Sequence, residues 1–204
     1  MSDIFNSMVS GQDNVRNAIL KSARELFARF GYRKTTMEDI AQALRKGKSS
    51  LYYYFKNKEE IFQAVIELEA ELLERRLREV VISEYSPRQK FHDYVIIRME
   101  TLRELQNYQR AMRDETYSEY HFLDEVREES DRAEQEMLRS IMEEGVMKED
   151  FDIKNLRLAA IGVSTALRGL ELPLFRGIDN FDDFRLQLDN ILNILFYGIL
   201  KREK

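Results

Sequence analysis

An all-α fold is predicted by three features of the sequence. Its 204 residues include only 8 Gly and 2 Pro, the two residues that most disfavour helices. Apolar residues recur at three- and four-residue spacing through most segments, the pattern of a helix with one buried face. Capping side chains stand just ahead of these runs, as in Thr-Thr-Met-Glu-Asp at 35–39, Asn57 with Glu60, and Ser-Pro-Arg-Gln at 86–89. Composition also excludes some chemistry. With no cysteine there can be no disulfide, thiol nucleophile or thiolate metal site. The first 14 residues lack the basic region and long apolar run of a signal peptide. The longest charge-free run near the end, 190–200, is too short to span a bilayer. A soluble, cytoplasmic protein with no membrane partner is expected.

The first helix is expected over 15–30. Val15, Ala18, Ile19, Ala23, Leu26, Phe27 and Phe30 make its stripe, and Gly31 stops it. Thr35 with Glu38 reads as a capping box that starts a second, short helix, buried through Met37, Ile40, Ala41 and Leu44. A turn around Gly47 leads to a third helix over 48–54, which must be short because Asn57 and Glu60 start a fourth. Three helices, the last two short and joined by a tight turn, describe a helix-turn-helix unit. Tyr52, Tyr53 and Tyr54 follow one another in it. Successive residues step about 100° around a helix, so the three cannot share a buried face. Leu51 and Phe55 lie four apart and take that face. Ser49, Tyr52 and Tyr53 then project outward beside Lys48, and Tyr54 lies between the faces. Hydroxyls, small serines and lysines on one exposed face suit a DNA groove and its phosphate walls. Charge agrees. Residues 1–60 carry 11 Lys/Arg against 7 Asp/Glu, or +4, and the remainder carries 21 against 30, or −9. A basic head on an acidic body points to a polyanionic partner.

The body follows. A long fourth helix, 58 to near 82, carries Ile61, Phe62, Val65, Leu68, Leu72, Leu73, Leu77 and Val80. Ser86 caps a fifth, with Pro87 in its first turn and Gln89 closing the box. It carries Phe91, Tyr94, Val95, Met99, Leu102 and Leu105. A shorter sixth is expected over 107–117, an aromatic joint at 117–122, and a seventh over 122–144, ended by Gly145. In 156–170 only Arg157 and Arg168 are charged, and in 184–200 only Arg185 and Asp189. Helices apolar around most of their circumference need partners on more than one side. A homodimer surface is therefore expected at Ala159, Val163, Leu167, Leu188 and Leu195. Gly162, Ser164 and Ala166 are small enough to let helices approach closely.

The stretch RNAILKSARELFARFGYRKTTMEDIAQAL, followed by KSSLYYYFKNKEEIFQAVI, resembles the TetR (tetracycline repressor) family of bacterial regulators over about 16–66. The resemblance implies a helix-turn-helix DNA-binding domain over 1–57 and a six-helix effector-binding and dimerisation domain over 58–204. It implies a double-stranded palindromic operator and a small apolar or amphipathic effector that releases the protein from it. Lys48, Ser49, Ser50 and Tyr52 stand where family members approach base edges. Thr36, Tyr53, Tyr54 and Lys58 stand where they grip phosphates. In the body, Phe91, Tyr94, Arg98, Tyr108, Met112, Phe122 and Met137 fall on helices that enclose an effector cavity in the family, although plain core packing accounts for each of them alone. One departure concerns the turn. Where members usually read Ala-Gly-Val-Ser, this chain reads Leu44-Arg45-Lys46-Gly47. A helical adaptor that keeps the head but reads no operator is the alternative. His92 and His121 lack the Glu-x-x-His metal pattern, and no phosphate loop or nucleophile elbow occurs, so no cofactor, metal or enzymatic activity is expected.

Overall fold

The computed structural model of the chain describes residues 14–113, 120–175 and 181–197. Among these residues there are nine helices and no strand. They are α1 (Asn14–Phe30), α2 (Met37–Ala43), α3 (Lys48–Tyr54), α4 (Lys58–Val81), α5 (Pro87–Glu104), α6 (Gln106–Arg113), α7 (His121–Met147), α8 (Leu156–Phe175) and α9 (Phe181–Tyr197).

Local chemistry accounts for most helix ends. Asn57 Oδ1 accepts from the Glu60 N–H at 2.8 Å and starts α4. Ser86 Oγ accepts from the Gln89 N–H at 3.3 Å and starts α5. The Gln89 side chain does not close the expected box; it donates to Asp93 at 2.8 Å. The cap of α2 also differs from expectation by one residue. Thr36, not Thr35, is extended at φ −115°, ψ 166°, and its Oγ accepts from the Asp39 N–H at 3.2 Å. Asp39 answers by accepting from the Thr36 N–H at 2.8 Å. Thr35 is buried instead, and its hydroxyl donates to the Gly31 carbonyl at 2.9 Å. Adjacent threonines look alike in sequence, but only the exposed one can turn back on the helix start. Gly145 does not stop α7, which runs on to Met147. The Phe151 ring lies where a Cβ at 145 would be, so the glycine makes room for a close approach. The turn comes at Glu149, in the left-handed region at φ 60°. The expected end of the sixth helix and most of the 117–122 joint lie outside the described residues.

The chain divides into two compact units, 1–74 with 104–130 and 75–103 with 131–204. The division passes through α4 and α7. In the first unit, Ile19, Leu20, Ala23 and Phe27 of α1 are buried, as are Ile40, Leu51, Phe55, Ile61, Phe62 and Val65. Phe30, assigned to the stripe of α1 by its spacing, is half exposed and lies under the Arg29 guanidinium. Phe62 packs edge-on to Phe27, Tyr120 and Phe122. Glu69 is fully buried here. It accepts from Arg24 Nε at 2.7 Å, Asn107 Nδ2 at 3.1 Å and the Tyr108 N–H at 2.7 Å. The last bond caps the start of α6 from outside the helix. A buried carboxylate with several donors is tolerable where an isolated one would not be.

The second unit buries Phe91, Tyr94, Val95, Met99, Leu138, Ile141, Met142, Leu167, Leu188 and Leu192. Arg98 lies among them. Its Nε donates to Glu134 at 2.5 Å, and its Nη2 lies 2.8 Å from Glu171. Burial alone would disfavour the charge on Arg98, but the two carboxylates outweigh it and raise its pKa further. Lys90 donates to Glu144 at 2.7 Å from a similarly buried position.

Candidate nucleic-acid interface

The candidate surface is built on α3. Leu51 is fully buried and Phe55 nearly so, and together they fix the rotation of the helix. Burying a leucine fully stabilises by about 1.5–3 kcal/mol, enough to set which face is left outside. That face carries Lys48, Ser49, Tyr52 and Tyr53, all exposed. Tyr53 is 83% accessible and Tyr52 52%, so neither ring belongs to the buried core. Tyr54 is half-buried and turns its ring edge toward Tyr53 at 4.9 Å. Ser50 is half-buried at the margin.

Three anticipated phosphate or base contacts have neighbours within the protein. Lys48 pairs with Glu38, and both are largely exposed, so the pair can open at little cost. The Thr36 hydroxyl holds the α2 cap and also donates to Asp39 at 2.7 Å. These bonds from the Thr36 hydroxyl and N–H hold the Asp39 carboxyl below its usual pKa. Lys58 is the most altered. It donates to the Tyr32 carbonyl at 2.8 Å and stands 4.2 Å above the Tyr32 ring, where desolvation pulls its pKa below the ordinary lysine value. It ties the start of α4 to the turn after α1, a task its position in the sequence did not reveal.

The turn between α2 and α3 has a definite geometry. The Arg45 N–H donates to Gln42 O and the Lys46 N–H to Ala41 O, both at 3.0 Å. This pattern closes a helix through a residue in the left-handed region, and Arg45 fills that place at φ 53°. Gly47 is in ordinary extended backbone at φ −71°, and α3 has no side-chain cap.

The residues expected around an effector fall in both units. In the second, Phe91, Tyr94, Arg98 and Met137 are all buried. Arg98 is already partnered: its three nitrogens face Glu134, Glu171 or Met99. In the first, Tyr108 is buried, Met112 half-buried, and Phe122 half-buried against Phe62 and Tyr120. Of the residues expected at a dimer surface, Leu167 and Leu188 are enclosed by the chain's own packing. Ala159 and Val163 are half-buried, and the Leu195 side chain lies outside the described residues. Among the described side chains of α8 and α9, the large apolar ones left outside are Leu158, Leu186 and Ile194. On helices apolar all round, spacing alone could not say which face turns inward.

Residues 19–65 match the model of bacterial regulatory proteins of the tetR family. Over 195 residues, 93% of this chain and all of the relative, the sequence is 25% identical to the HTH-type transcriptional regulator QacR of Staphylococcus aureus. Over 50 residues, 24% of this chain and 26% of the relative, it is 42% identical to the HTH-type regulator YhgD of Bacillus subtilis. A transcriptional regulator of Cytophaga hutchinsonii has a similar structure, with a TM-score of 0.75 and 25% identity over 90% of this chain and 97% of that one. No helix among the described residues is long and apolar enough to cross a membrane.

Proposed function

We propose that this chain, a DNA-binding transcriptional regulator of the tetR family, is a repressor that binds a palindromic operator as a homodimer and leaves it when a small effector enters the helical body. One observation carries the DNA reading. A seven-residue helix with a single buried side chain presents Lys48, Ser49, Tyr52 and Tyr53 outward, which makes no sense as packing. In a helix-turn-helix such a helix lies in the major groove, and a two-fold dimer sets two of them about 34–36 Å apart. A gel shift with DNA flanking the protein's own gene tests this. Lys48→Ala should weaken binding and change sequence preference, and Tyr53→Ala should weaken binding to all sequences. Unchanged affinity in both variants would place the interface elsewhere.

The dimer reading is supported by Leu158, Leu186 and Ile194, large apolar side chains exposed on α8 and α9. Gly162 and Gly169 on α8 have open space where a Cβ would be, so a neighbouring helix can approach there. An obligate interface commonly buries 2,000 Å² or more in total. Leu158→Glu together with Leu186→Glu should yield monomers in sedimentation, and a stable dimer would refute this placement. For the effector, the buried Phe91, Tyr94 and Met137 favour a largely apolar molecule, without Arg98 as its anchor. Screening by native mass spectrometry would identify it. Effector and operator should then oppose each other reciprocally, with a coupling of about 1–3 kcal/mol, or roughly 5- to 150-fold in affinity. A bound molecule that leaves operator affinity unchanged would mark a constitutive binder.

A further inference from the structure

We propose that Arg45 and Lys46 form a phosphate clamp beside the groove entered by α3, and that the turn keeps a strained residue for this purpose. The inference rests on DNA binding by α3.

The backbone supplies the first observation. The residue after Leu44 must be left-handed to close α2, and Arg45 is held there at φ 53°. Glycine takes this conformation with no steric penalty, whereas a residue with a Cβ is strained in it. The chain does contain a glycine in this turn, but two residues later. At Gly47 the backbone has φ −71°, which any L-residue adopts, and the glycine leaves α3 without a side-chain cap. Stability alone would favour glycine at 45 and a capping serine at 47. An outlier of this kind, next to a binding surface, is where function is to be sought.

The cations around α3 supply the second observation. Lys48 is paired with Glu38, Lys56 lies 3.7 Å from Glu60, and Lys58 is tied to the Tyr32 carbonyl. Arg16 stands over the Phe55 ring. Arg45 and Lys46 are both exposed, and neither side chain bonds to another described residue. They are therefore available to an external anion at no cost in bonds to the described residues. Lys46 is two residues from Lys48, so their Cα atoms lie within about 7 Å. The major groove is about 12 Å wide. Side chains flanking a helix start seated in it meet a phosphate wall, not base edges. The clamp therefore supplies affinity and salt dependence and carries no sequence preference.

Three variants test the clamp against a duplex of the DNA flanking the protein's own gene and an unrelated duplex, titrated over about 50–200 mM salt. Arg45→Gly should raise Tm by about 2–4 °C while weakening both duplexes. Its slope of log affinity against log salt should fall by about 0.9 for each head bound, roughly an eightfold loss per head at 0.1 M salt. Arg45→Lys should retain the slope and gain no stability. Lys46→Gln should lower the slope with Tm unchanged. The salt slope and the Arg45→Lys variant separate loss of a phosphate contact from a shift of the backbone, which would change affinity without changing the slope. If Arg45→Gly gains stability with affinity and slope intact while the wild type binds DNA, the clamp is overturned and DNA reading by α3 stands. If the wild type binds neither duplex, both fail.

Discussion

Helices α3 and α5 stand at opposite extremes of burial. Of the seven residues of α3, one is buried. Of the eighteen in α5, ten are, and they include Lys90, Arg98 and Thr101. The residues of α3 answer to what lies outside the protein, since packing constrains only Leu51. Those of α5 answer to what surrounds them inside. A polar or aromatic residue on α3 is therefore evidence about a partner. The same residue on α5 is evidence about a neighbour, until an effector is shown to touch it. This is why the exposed face of α3 could be read from the sequence, while the neighbours of the α5 side chains could not.

The most forceful way to test that contrast is to remove a charge from each helix. Arg98→Ala would leave Glu134 and Glu171 in a buried site without their cation. Breaking a buried pair from one side costs about 3–5 kcal/mol. Chemical denaturation should show a loss of that order. Replacing Arg98, Glu134 and Glu171 together by apolar residues of similar volume should restore much of it. Lys48→Ala on α3 removes a charge of the same sign from an exposed pair and should change stability by less than about 0.5 kcal/mol. Similar losses at Arg98 and Lys48 would erase the distinction between the two helices.

Next in size are Leu51→Ala and Tyr53→Ala, neighbours but for one residue and opposite in role. Leu51→Ala should lower stability by about 2–4 kcal/mol, because α3 has no other fully buried side chain to hold it. Tyr53→Ala should leave stability within about 0.5 kcal/mol and reduce operator affinity by about 3- to 10-fold, the worth of one hydrogen bond to phosphate. Thr36→Val falls between them. It removes a cap worth about 1 kcal/mol, so any DNA effect must be measured well below the Tm of the variant.

Periodicity and caps gave most helices to within a residue or two, because a helix end is a local event. The misses were decided by contacts distant in sequence. Thr35 and Thr36 exchanged roles because Thr35 is drawn inside, toward Gly31. Gly145 is needed by Phe151 and not by the end of α7. Glu69 had a readable signal: it falls on the apolar stripe of α4, four residues after Val65 and three before Leu72, where a carboxylate requires partners. Arg98 lies on such a stripe in α5, and the sequence did not name its partners, Glu134 and Glu171. A charge on an apolar stripe announces burial but does not say with what.

The smallest expected effect concerns acid. In the body, Glu144 accepts from Lys148 and Lys90, both at 2.7 Å, and these bonds hold its carboxyl below the usual glutamate pKa. In the head, Asp39 is held below the usual aspartate value by Thr36. The sign is the same for both. A carboxyl with a lowered folded-state pKa adds stability that is fully present above its unfolded value, about 4.3 for Glu and 3.9 for Asp. That stability is lost as pH falls through the lower folded value. Glu144→Gln should therefore narrow the gap in unfolding free energy between neutral and acid pH, and Asp39→Asn should do the same at slightly lower pH. Each pair is partly exposed, so the Glu144–Lys90 coupling from a double-mutant cycle should be about 0.2–1 kcal/mol at pH 7 and should shrink toward zero well below pH 4. Lys148→Ala should lower that coupling little, because Lys148 is exposed while Lys90 is buried. If the coupling persists unchanged in strong acid, Glu144 is not the group that titrates, and Lys90 must be held by packing alone.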